Sequence, residues 1–94
     1  MTKPRRNREW MGAVASLECC VLCGKFGVQV AHSNRDRGMG QKSSDHLVAA
    51  LCPEHHHEID NGKTMTRDER RALMDRAIVL TFDKLVQAGI VGLT

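Results

Sequence analysis

Cys20-Val-Leu-Cys23 and Cys52-Pro-Glu-His55 are two clips, each carrying a pair of metal-ligating side chains two residues apart. Together they offer three thiols and one imidazole, a donor set suited to one tetrahedral zinc ion. Such a site is closed, and it contributes folding energy outright. Cys19 lies one residue outside the first clip and could replace Cys20 at three-residue spacing, although the two-residue spacing is the commoner one.

Zinc uses four ligands and leaves His56, Asp60 and His32 over. On a helix, His56 points about 100° away from His55. Asp60 lies four residues beyond His56, on the same face. An imidazole and a carboxylate so placed are half a site for a divalent cation, with room left for water and a phosphate oxygen. The plain alternative is a surface hydrogen bond between them. His32, at the end of an expected strand, is expected to lie across from His56 and Asp60 once zinc pins the clips together. A neutral imidazole there could take a proton from water. His57-Glu58 does not begin a metalloprotease motif, because Asn61 stands where the second histidine would be. No phosphate-binding loop, dinucleotide fingerprint or nucleophilic serine elbow occurs.

The elements that must position these residues fit one small domain of 94 residues. With one Trp, two Phe and no Tyr, the core is thin and aliphatic, and a metal would brace it. Residues 1–6 read as a basic arm. Asn7 is expected to cap a helix through Leu17, with Trp10, Ala13, Val14 and Leu17 on one face. Phe26–Ser33 alternates weakly and suggests a strand. Residues 34–44 read as a long loop, and Leu47–Leu51 as a short strand or helical turn. Pro53 fits the first turn of a helix bearing the three histidines, ending near Asn61-Gly62. The zinc-clip core spans 18–62. Thr66-Arg-Asp-Glu69 reads as a capping box opening the C-terminal segment 66–89, a helix over about 67–88 that Gly89 stops. Met74, Ile78, Phe82 and Leu85 are its expected core stripe.

Net charge is +3. Lys3, Arg5, Arg6 and Arg8 cluster at the head, and Arg35, Arg37 and Lys42 in the loop, a distribution suited to a phosphate backbone. No stretch reads as a secretory signal or a membrane span, so a reducing cytoplasm is expected, where paired clips favour metal over disulfide.

Four segments in order, Ser16–Gly24, Ala31–Asn34, Gly38–Asp45 and Leu51–Asp60, resemble the small phage and prophage HNH-type endonucleases. Ref-like recombination-enhancement nucleases and short prophage nucleases are the nearest in pattern, over about residues 10–62. The resemblance implies an α+β, zinc-braced ββα-metal fold, here with an added N-terminal helix and a long C-terminal one. It implies hydrolysis of DNA phosphodiesters in a bacterial host cell, with Mg²⁺ or Mn²⁺ as catalytic cation and a recombination protein as partner. By position, Cys20, Cys23, Cys52 and His55 match the family's zinc clips. His56 and Asp60 match the cation ligands, and His32 matches the first-strand histidine. Asp45 or His46 matches the middle polar residue that holds the histidine loop, with Asn34 as a further option. The family's polar neighbour of the first histidine is missing, since Ala31 and Ser33 flank His32. Two other readings use the same residues: a non-catalytic zinc module that binds nucleic acid, and an interaction domain presenting the C-terminal helix.

Overall fold

The computed structural model describes residues 7–33 and 44–91. Among them the order is α1 (Arg8–Ala15), β1 (Gln29–His32), β2 (Val48–Leu51), α2 (Pro53–Asn61) and α3 (Arg67–Gln87), a small α+β fold. The two strands pair antiparallel, with Gln29 opposite Leu51 and His32 opposite Val48.

β2 is buried along its whole length, as expected for a continuous Val-Ala-Ala-Leu run. Its side chains alternate between two clusters. Ala49 and Leu51 pack with Ala31, Ile59, Met74 and Ala77 on one face. Val48 and Ala50 pack with Val14 and Leu85 on the other. The outer edge of β2 is also covered. Ala50 accepts from the Val21 N–H at 3.1 Å, and its own N–H donates to Thr81 Oγ1 at 3.2 Å.

That edge explains a departure in α3. The expected stripe is only half right: Met74 and Leu85 are buried, whereas Phe82 is 41% exposed. Ala77 and Thr81 complete the buried face instead. Thr81 belongs there because a buried N–H at a strand edge must find an acceptor. The capping box forms, with Thr66 Oγ1 accepting from the Glu69 N–H and Glu69 Oε1 from the Thr66 N–H. Hydrogen bonds to Thr66 hold the Glu69 carboxyl below its usual range.

Other boundaries move modestly. Asn7 caps α1 by accepting from the Trp10 N–H at 3.0 Å. The helix ends at Ala15 rather than Leu17, and the chain turns through Glu18 at φ 68°. The first strand is shorter than expected, and Phe26 joins only an isolated bridge with Cys19. α2 begins at Pro53 and ends at Asn61, with Gly62 as its C-cap, where a Cβ would run into the Glu58 carbonyl. No helix among the described residues is long and apolar enough to cross a membrane.

Candidate metal centre and histidine face

The turn after Cys20 and the start of α2 bring the clips together. Ligand atoms of Cys20, Cys23, Cys52 and His55 all lie within 4.8 Å of one another. Zn–S distances of about 2.3 Å and Zn–N of about 2.0–2.1 Å give tetrahedral edges of about 3.8 Å between sulfurs and about 3.6 Å from sulfur to nitrogen. Cys23 Sγ lies 3.8 Å from Cys52 Sγ, and His55 Nδ1 lies 3.6 Å from Cys20 Sγ and 3.4 Å from Cys52 Sγ. The cluster therefore fits a metal ion such as zinc. Cys19 is exposed and outside it.

Local backbone prepares the thiols unequally. Burial alone would push the Cys20 thiol up, but hydrogen bonds from the backbone of Cys52, Leu22 and Cys23 outweigh it and bring the group to about 6. Burial dominates at Cys52 and pushes it up to about 11. Lys25, just past the first clip, bonds Glu54 at 2.7 Å and ties the turn to α2. That contact, led by the Lys25 hydrogen bond, holds the Glu54 carboxyl down at about 2.

One residue on, α2 presents a second constellation. His56 Nε2 lies 3.2 Å from Asp60 Oδ2, the i,i+4 pair expected from the sequence. His56 Nδ1 lies 2.7 Å from Gln29 Oε1. An amide oxygen only accepts, so Nδ1 donates to Gln29 and leaves Nε2 facing the carboxylate. His56 and Asp60 are both half-buried and share one face of α2. Gln29 has no counterpart in the sequence reading. It sits opposite Leu51, at the end of the strand leading into Cys52 and α2, a register that the sequence does not show. Arg70 Nη1 donates to the Asp60 carbonyl at 3.1 Å and fastens this end of α2 to α3.

His32 is engaged elsewhere. Its Nε2 lies 2.9 Å from Asp45 Oδ1. Strand alternation turns His32 and Val30 to the α1 side, whereas Gln29 and Ala31 face α2. Three residues of strand, about 10 Å, separate His32 from Gln29. The expectation that His32 lies across from His56 and Asp60 is corrected here: two separate His–Asp pairs stand on opposite faces of β1. The cause is β-strand parity, since an offset of three residues reverses the face.

Asp45, rather than His46, holds the histidine. His46 is exposed and lines an apolar cleft beside Trp10. Arg8 is exposed at the start of α1. Arg5, Arg6, Arg35, Arg37, Lys42 and Asn34 lie outside the described residues. No protein-family model, curated protein or solved structure matches the chain.

Proposed function

We propose that this protein is a metal-dependent endonuclease of HNH type, hydrolysing DNA phosphodiester bonds. One observation carries the reading: His56 Nε2 lies 3.2 Å from Asp60 Oδ2 while Gln29 Oε1 holds its Nδ1 at 2.7 Å, directly beside a separate four-residue cluster that fits a structural metal. In this reading zinc occupies Cys20, Cys23, Cys52 and His55 and braces α2 against the knuckle. His56 and Asp60 hold Mg²⁺ or Mn²⁺, which supplies Lewis-acid stabilisation of charge on the phosphoryl and leaving oxygens. His32, paired with Asp45 on the other face of β1, stands apart from that site and has no part in this reading. Arg8 and the basic arm and loop hold the backbone with little base readout.

A second reading has its own observation. The His32–Asp45 pair is tied to α1 and separated from His56 by strand parity, which suits a non-catalytic zinc module that binds nucleic acid. Plasmid nicking at low salt, with Mg²⁺, with Mn²⁺ and with EDTA, separates the two. The nuclease reading expects nicking that needs the cation and is lost in His56→Ala with zinc content unchanged. The binding-module reading expects salt-sensitive DNA binding without nicking, indifferent to His32→Ala and His56→Ala.

A further inference from the structure

α3 buries one face against the sheet and turns another outward. On the outward face Val79 is 66% exposed, Ala72 is exposed, and Val86 is half-buried. Residues 72, 79 and 86 are seven apart, the spacing of a seam between two helices. Phe82 adjoins the seam and, with Trp10 and Ile78, lines an apolar cleft of about 430 Å³. Phe82 and Trp10 stack with ring centres 6.4 Å apart. Ala72, Val79 and Val86 run along the centre of this face, with Asp75 on one flank and Arg76 and Asp83 on the other.

We propose that the outward face of α3 is a self-association surface, and that its occupant is α3 of a second copy, packed antiparallel about Val79. Charge selects the copy over other partners. Arg76 and Asp83 each lie four residues beyond a seam residue, on the same flank of the helix. Antiparallel helices related by a two-fold axis bring like flank to like flank. With Val79 against Val79, Ala72 meets Val86 of the second copy, and Arg76 lies beside Asp83 of the second copy. Symmetry repeats that pair, so one arrangement makes two opposite-charge contacts and no unmatched one between these residues. Gln87 Nε2 donates to Asp83 Oδ2 at 2.7 Å and steadies the carboxylate at its place on the flank. The proposal is independent of the nuclease reading, since neither the zinc cluster nor the His56–Asp60 pair belongs to this face.

Sedimentation equilibrium of the zinc-loaded protein over a concentration series tests it. The wild type is expected to fit a monomer–dimer equilibrium. Val79→Glu and Ala72→Glu, both at exposed positions, are expected to leave only monomer, with zinc content and helix signal unchanged. Arg76→Asp and Asp83→Arg alone each place two like-charge pairs in the interface and are expected to weaken the dimer roughly tenfold. The double variant Arg76→Asp/Asp83→Arg is expected to recover most of that loss. A wild type that stays monomeric throughout, a dimer unaffected by Val79→Glu, or a double variant no tighter than the singles would each overturn it.

Discussion

Asp45 joins His32 to the start of α1. One carboxylate oxygen lies 2.9 Å from His32 Nε2, and the other accepts the Asn7 N–H at 2.7 Å. Asn7 is itself the N-cap of α1. A single buried side chain thus fixes a helix start, a strand end and the His32 ring. Charge-assisted hydrogen bonds of this type are the stronger ones.

Removing it should therefore cost more than an average surface change. Asp45→Ala is expected to destabilise the zinc-loaded protein by about 3 kcal/mol, the sum of two hydrogen bonds to a charged group. Asp45→Asn keeps an acceptor and should lose less. Urea denaturation measures both, with zinc content as control. Equal stability of all three proteins would mean that the carboxylate is not the strut described here.

Zinc binding should release protons, and its pH dependence should have a bend. With Cys20 at about 6 and Cys52 at about 11, the metal-free protein near neutrality carries a thiolate at Cys20 and a thiol at Cys52. Metal must displace the Cys52 proton, so affinity rises with pH through neutrality. Below about 6 the Cys20 proton competes as well, and affinity falls more steeply as pH drops. Calorimetry in buffers of different ionisation enthalpy counts the protons. Zinc binding at neutral pH without proton release would contradict this ordering of the thiols.

Thr81 reports on the covered edge of β2. Thr81→Val keeps the shape and removes the acceptor, leaving the Ala50 N–H buried without a partner. The expected loss is about 1–3 kcal/mol, more than the hydroxyl's bond to Ala77 within the helix would explain. Chemical denaturation gives the number, and faster hydrogen exchange at Ala50 would locate it. A neutral substitution would show that the strand edge is satisfied some other way.

Gln29 should tune the cation site without being a ligand. Gln29→Leu frees the His56 ring to change tautomer or turn. Outer hydrogen-bond partners of this kind are worth about 10–100-fold in metal affinity. The Mn²⁺ concentration giving half-maximal nicking should rise by that factor, while zinc content stays the same. An unchanged midpoint would remove Gln29 from the site.

Much of this arrangement was legible in the sequence because its signals are local. Two-residue clips, an N-cap at Asn7, Pro53 at a helix start, the Thr66–Glu69 box and the His56–Asp60 spacing each depend on neighbours within one turn. What failed to show was set by pairing across the fold. Register decided that Gln29, and not His32, meets His56. Thr81 breaks the apolar stripe of α3 to serve a backbone N–H that belongs to a strand thirty-one residues earlier. Phe82 looked like core by helical period, yet among the described residues the sheet is two strands wide and leaves that flank uncovered. The roles of Asp45 and His46 could be told apart only by which side chain reaches the strand end.

The central claim is that α2 carries two sites back to back, a closed one ending at His55 and an open one beginning at His56. Titrating Mn²⁺ into zinc-loaded protein, and reading bound Mn²⁺ by electron paramagnetic resonance, tests it most directly. The account predicts one saturable Mn²⁺ site in the wild type, lost in His56→Ala and in Asp60→Asn while zinc stays bound. No saturable Mn²⁺ in the wild type, or the same Mn²⁺ binding in both variants, would contradict it.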